Sequence, residues 1–247
     1  MELSSIVGPV LGAVAVLGTA VVKGISIPSL FGVSAVMIIG LGSAGAVVTA
    51  YPMKDVVHSM KSLGLFISGP KANHEELIAE IERLSQMHKK DGSLALEKEI
   101  EGIQEPILKK GIQMIVDNID GEVIHEALEN EIEILFEEEE IAAKFWEDMG
   151  AFSPTVGIIG AVLGLMVVMN NLDNPDAIGP GIATAFIATI YGVALANLFA
   201  LPAGKKIKRM CQQVKLYREM ALVGVMGISH GLGAKVIVER LNGMSEA

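Results

Sequence analysis

Few side chains that could do chemistry lie in the long apolar stretches of this 247-residue sequence. Thr189 is the most central of them, in the stretch from Ile182 to Leu201. Its hydroxyl could line an ion path, or it could simply donate to the carbonyl four residues earlier, here that of Ala185. Proton relays and coupled transport normally use an intramembrane carboxylate or histidine, and these stretches contain neither. If ions pass, another polypeptide must therefore bring the titrating group.

The rest of the sequence offers no enzyme motif. It has no Walker loop, no GxSxG elbow and no HExxH. No two of the five histidines stand at close metal-ligand spacing, and a single cysteine excludes a disulfide framework. The net charge of −10 argues against nucleic acid as a partner. We expect a protein that is not an enzyme and that holds no metal or cofactor beyond a transported ion.

The elements that must position Thr189 are four apolar runs without charge. They extend from about Ser5 to Val22, Leu30 to Tyr51, Phe152 to Met169 and Ile182 to Leu201. About 20 apolar residues in a helix cross a bilayer. Nearly all Lys and Arg lie between Lys54 and Lys144 or after Pro202, and the positive-inside rule places both regions in the cytoplasm. We therefore predict an all-α membrane protein with four transmembrane helices and both termini inside.

Four segments follow from this topology. Residues 1–51 form helices one and two, 52–150 a helical cytoplasmic domain, 151–202 helices three and four, and 203–247 a C-terminal cytoplasmic helix. In the second segment, Asn73 followed by Glu76 resembles a capping box, and Pro106 suits a first helical position. A long acidic helix is expected from Glu122 to Asp148, and no run predicts a strand.

The segment from Met220 to Val238 is apolar enough to be a fifth span. It contains His230, Lys235 and four glycines, and a fifth span would leave the C-terminus outside. These features favour a cytoplasmic helix that packs on its neighbours.

Spans three and four are rich in small residues. Lipid gives helices no hydrophobic reason to associate, so close packing relies on small side chains. The small residues could serve a compact bundle of one chain or contacts with other chains. Their number favours other chains, because four helices need little small surface. The positions are Gly157, Gly160, Gly164, Gly181, Ala183, Ala185, Ala188, Gly192, Ala194 and Ala196.

Two strings of sequence resemble a known family. The string GAFSPTVGIIGAVLGLMVVMNNLDNPDAIGPGIATAFIATIYGVALANLFALP, from Gly150 to Pro202, and KKDGSLALEKEIE, from Lys89 to Glu101, are similar to MotA/PomA flagellar stator A subunits. These belong to the MotA/TolQ/ExbB superfamily. The order of spans fits over the whole chain, whereas ExbB and TolQ proteins have one span before their cytoplasmic insertion.

The resemblance implies an A subunit of an ion-driven bacterial flagellar stator in the inner membrane. Five such chains would surround two MotB/PomB-like B subunits, each with a single span bearing an ion-binding Asp. Ion flow would turn the ring, and the cytoplasmic domain would push on the rotor protein FliG. An ExbB/TolQ-like energiser of outer-membrane machinery is the alternative. A stand-alone channel would need a polar pore lining that these spans lack.

The resemblance also implies roles for particular residues. Thr189 matches the threonine that faces the B-subunit Asp, and Ala161 matches a position that is Ala in many proton-driven members and typically Thr in sodium-driven ones. Proton transport is therefore expected. Pro154 and Pro202 match prolines that allow helices to reorient, although each could merely mark a helix end. The rotor-binding positions are Lys89, Lys90 and Glu97.

Overall fold

Every regular element of the described chain is helical. The computed structural model describes residues 3–70 and 72–245, and no strand lies within them. The all-α prediction is confirmed. Short 3-10 helices occupy Ile27–Leu30 and Glu97–Gly102, and a π-helix occupies Leu195–Ala200. The α-helices are α1 (Ser4–Val22), α2 (Val33–Ala50), α3 (Met53–Ser68), α4 (His74–Asp91), α5 (Ser93–Leu96), α6 (Pro106–Val116), α7 (Gly121–Met169), α8 (Pro175–Ala194), α9 (Leu201–Ser229) and α10 (Ala234–Ser245).

Four helical segments are long and apolar enough to cross a membrane. They are Ser4–Val22, Ile27–Ala50, Gly121–Met169 and Ile178–Ser229, and each covers one of the predicted runs to within one residue. Large apolar side chains on these segments point away from the rest of the chain: Leu11 is 63% exposed and Val14 is 62% exposed. Such surface needs lipid or another chain to shield it from water.

The predicted acidic helix and the third span are one helix. α7 runs for 49 residues, with Pro154 inside it. The interpretation of Pro154 as a helix end is therefore wrong. Proline removes one backbone donor and frees the carbonyl of Gly150 four residues earlier, but packing supports the helix on both sides. A Cβ on Gly150 would lie 2.6 Å from Leu201, and one on Gly157 would lie 3.1 Å from the carbonyl of Ala188.

Pro202 does not end a helix either. The chain stays helical from Pro175 to Ser229, passing through the π-helix just before this proline. The Leu201 N–H donates to the carbonyl of Ala196, five residues back. This wider turn keeps the chain helical up to Pro202, which has no N–H to donate.

The chain divides into two compact units. Unit 1 comprises residues 3–69 and 140–209, and unit 2 comprises residue 70 and residues 72–139 and 210–245. These bounds follow packing, so α3 belongs to unit 1 although the predicted cytoplasmic segment begins at residue 52. Residues 1 and 2 of the first predicted segment, residue 71 of the second and residues 246 and 247 of the fourth lie outside the described residues.

Unit 2 is a helical bundle with a well-filled apolar core. The predicted helix starts are confirmed, because the Asn73 side chain accepts a hydrogen bond from the Glu76 N–H at 3.4 Å and Pro106 opens α6. The segment from Met220 to Val238 breaks between α9 and α10, and most of its apolar side chains are buried or partly buried, as expected of a packing helix, while Val236 is 46% exposed. The core includes Leu77, Ile81, Leu84, Ile112, Leu128, Met220, Val225 and Ile228.

Candidate functional site

Spans three and four approach each other backbone to backbone. A Cβ added to Gly164 of α7 would lie 2.9 Å from the backbone nitrogen of Ala185 in α8. One added to Gly192 of α8 would lie 2.6 Å from the carbonyl oxygen of Ser153. Gly160 faces Ala188 between these two points. The small residues therefore let two helices of the same chain touch along most of their length.

This packing bears on the expected association with other chains. Most of the small residues of spans three and four face each other within one chain, which is the compact-bundle interpretation. Their number therefore does not by itself require a neighbouring copy. The exposed large side chains of the spans, such as Phe186 at 66% exposure, are the surface that remains to be covered.

Thr189 lies on α8 beside this contact. Its Cα is 3.5 Å from the position of a Cβ on Gly157, and its side chain is partly buried. The hydroxyl donates to the Ala185 carbonyl at 3.2 Å, so the expected bond within the helix is confirmed. That bond uses the hydroxyl proton and leaves the oxygen lone pairs of Thr189 available as acceptors.

Ala161 lies on α7, one helical turn after Gly157, and is partly exposed. Its methyl group cannot coordinate a cation. Within the described residues, none of the four predicted apolar runs holds an Asp, Glu, Lys, Arg or His. The described part of the chain also has no group of three His, Cys, Asp or Glu side chains that could hold a metal ion. The predicted apolar runs thus offer hydroxyl oxygens, such as that of Thr189, as acceptors but no carboxylate or histidine.

An aromatic cluster at one end of the spans was not predicted. The Tyr51 hydroxyl donates to Asp148 at 2.6 Å, and the Trp146 indole donates to the carbonyl of Ser59 at 3.0 Å. These bonds fasten α2 and α3 to α7. Four rings contact one another edge to face in the order Tyr51, Phe145, Trp146 and Phe199. The centroids of neighbouring rings are 5.4–5.8 Å apart. Aromatic residues that are scattered along the chain show no periodic pattern, so the cluster could not be predicted from the sequence.

The predicted rotor-binding residues surround a glycine turn in unit 2. Lys89 and Lys90 lie in the last turn of α4, and Gly92 follows with a φ of 78°, where glycine is favoured. Glu97 begins the next 3-10 helix. All three charged side chains are exposed, and none of them forms an ion pair with another described residue. They are free to meet a charged partner.

A buried carboxylate lies deeper in unit 2. Glu105 caps α6 by accepting the Leu108 N–H and is 7% exposed. Burial raises the pKa of Glu105 to about 7, against the lowering effects of that N–H and of Arg218. Arg218 is itself paired with Glu139 at 2.8 Å. Glu105 is thus a titrating group near neutral pH that the sequence did not single out.

The site defines a class of protein. Four of its helical segments are long and apolar enough to cross a membrane, and the third and fourth pack closely without a carboxylate or histidine in their apolar runs. A second helical unit carries exposed charges at a turn. Comparison with known proteins identifies the family. Residues 99–220 match the MotA/TolQ/ExbB proton channel family.

Relatives match over almost the full length of the chain. Motility protein A of Bacillus subtilis is 33% identical and covers 98% of this chain and 90% of its own length. The solved C. jejuni MotAB has a TM-score of 0.94, with 30% identity, over 99% of this chain and 96% of that one. The flagellar MotAB stator complex of Bacillus subtilis has a TM-score of 0.89, with 32% identity, over 98% and 95%. The chain belongs to the MotA family and is an ion-driven flagellar stator A subunit.

Proposed function

We propose that this stator subunit is driven by protons and that a partner chain supplies the proton-binding carboxylate. The observation that carries the proposal is the residue content of the four apolar runs, which offer hydroxyl oxygens such as that of Thr189 but no Asp, Glu or His. Ala161 supports protons over sodium, because sodium requires oxygen ligands and the methyl provides none. The matching family model is described as that of proton channels.

The partner is a MotB/PomB-like B subunit with one span and an intramembrane Asp. Both solved relatives are MotAB complexes. Five copies of this chain would surround two B subunits in the bacterial inner membrane. The distribution of Lys and Arg supports a cytoplasmic location for both termini and for the segment between spans two and three.

Torque would reach the rotor through unit 2. The exposed charges of Lys89, Lys90 and Glu97 flank the turn at Gly92 and have no partner among the described residues. A surface with opposite charges, as expected of FliG, would be guided to it electrostatically. Pro154 and Pro202, both within continuous helix, are the positions where spans three and four could reorient.

The test of the ion path replaces Thr189 by valine. Thr189→Val keeps the shape and removes the oxygen, so we expect reduced torque in tethered cells with normal recovery of the complex with its B subunit. Thr49→Val is the matched control. Thr49 makes the same bond to the carbonyl four residues earlier, at 2.8 Å, on α2. If Thr189→Val cells generate full torque, Thr189 has no part in the ion path.

The coupling ion has a separate test. Rotation should stop when a protonophore dissipates the proton gradient and should persist in medium without sodium. Rotation that depends on sodium and survives the protonophore would contradict proton coupling. That result would leave the stator function intact.

A further inference from the structure

An apolar cavity of about 420 Å³ opens in unit 1 between α1, the connection from α1 to α2, and α8 with the π-helix that follows it. This volume falls in the range of roughly 300–1,000 Å³ that is usual for small-ligand sites. Its walls are hydrocarbon side chains, among them Val16, Leu17, Phe31, Ile187, Ile190 and Leu198.

Both hydroxyl groups that line the cavity already donate hydrogen bonds within the protein. Thr19 donates to the carbonyl of Ala15 at 2.7 Å, and Tyr191 donates to the carbonyl of Leu30 at 2.8 Å. The Tyr191 bond also ties α8 to the residues that precede α2, which fixes one side of the cavity. With these groups satisfied, the wall favours an apolar occupant.

Lys23 is the one charged residue that lines the cavity. It directly follows Val22, the last residue of α1, so it lies where the first span reaches the membrane surface. Its side chain is exposed and forms no ion pair with a described carboxylate. A lysine at this position can lay its methylene stem along apolar surface while the ammonium stays in the headgroup region.

We propose that this cavity binds an acyl chain of an anionic phospholipid whose phosphate pairs with Lys23. An apolar cavity with a lysine at its membrane-surface end matches the two parts of such a molecule, because the apolar wall can hold the acyl chain while the ammonium pairs with the phosphate. A helix from a second copy fits less well, because a helix with side chains is about 10 Å across.

The test uses the delipidated complex of this chain with its B subunit. Native mass spectrometry measures the binding of phosphatidylglycerol and of phosphatidylcholine with the same acyl chains. We expect phosphatidylglycerol to bind about fivefold more tightly, because the choline cation offsets the phosphate charge in phosphatidylcholine and one exposed ion pair contributes up to about that factor. Lys23→Gln should abolish the preference, and Ala13→Phe, which adds bulk at an exposed wall position, should weaken both lipids.

Lys235→Gln is the matched control, because Lys235 is an exposed lysine of α10 in unit 2. It should leave the preference unchanged. The proposal is overturned if Lys23→Gln retains the preference or if Ala13→Phe binds both lipids normally. A photo-crosslinking amino acid in place of Leu17 gives an independent result. A lipid adduct is expected, whereas capture of a second copy of this chain would refute the proposal.

Discussion

Replacing Gly192 by alanine should loosen the contact between spans three and four. The new Cβ would lie 2.6 Å from the carbonyl oxygen of Ser153 and 3.2 Å from the Cα of Gly157, where ordinary contacts begin at 3.4 Å. Both neighbours are backbone atoms, so no side chain can swing away. The two helices would have to separate by the better part of an ångström.

Two effects of opposite sign set the magnitude. Alanine is the better helix former by about 1 kcal/mol, which favours the variant. Overpacking that moves backbone costs roughly 1–3 kcal/mol, and the separation also weakens the neighbouring contact of Gly160 with Ala188. Because backbone rather than a flexible side chain is displaced, we expect the upper half of that range and a net loss of about 1–2 kcal/mol.

The measurement is reversible unfolding in mixed micelles, followed by tryptophan fluorescence. Trp146 is the only tryptophan and is buried in unit 1, so it reports on the unit that contains the contact. Gly40→Ala in α2 is the matched control, because a Cβ there meets nothing within 4 Å and should be neutral or stabilising. Equal stability of Gly192→Ala and Gly40→Ala would refute the close backbone contact.

Three further predictions concern unit 2. Burial raises the pKa of Glu105 to about 7, so its protonated form stabilises the fold and this stabilisation is lost as pH rises from about 4.5 through 7. Glu105→Gln should remove this pH dependence from the stability that amide exchange in α6 measures. A variant whose stability keeps the wild-type dependence on pH would contradict the prediction. Asn73→Ala removes the cap of α4 and should cost about 1 kcal/mol of stability. We expect faster amide exchange in the first turn of α4. Unchanged exchange there would mean that the cap contributes nothing. Glu97→Lys should reduce swimming of the cells without reducing membrane insertion. Cells with Glu101→Lys, the same change at another exposed acid, should swim normally. Equal swimming of the two strains would show that Glu97 takes no part in the rotor contact.

Local signals predicted much of the fold. The four spans follow from length and the absence of charge, and the start of α4 follows from Asn73 and Glu76. These are effects of neighbouring residues, which a sequence contains directly. The continuity of α7 through Pro154 is different, because it depends on Gly150 and Gly157 meeting residues of other helices. A proline alone gives no indication of such support.

The candidate site could be predicted from the sequence to about the same extent as the fold. The sequence indicated Thr189 as the central polar group, and the structure adds that its hydroxyl proton is bound within the helix. The small residues were recognised, but whether they pack within one chain or between chains depends on the angle and register of the helices. The π-helix before Pro202 and the pKa of Glu105 arise from tertiary packing and desolvation, which have no local pattern.

The close contact of spans three and four limits where ions can pass. A Cβ does not fit between Gly192 and Ser153 or between Gly164 and Ala185, so neither water nor a cation fits there. An ion path between these two helices within one chain is therefore excluded. We therefore expect the path to follow an outer face of the pair, where Thr189 is partly exposed and its oxygen can still accept a hydrogen bond. Such a face is only one side of a channel, so we expect a helix of another polypeptide to form the other side and to bring the carboxylate.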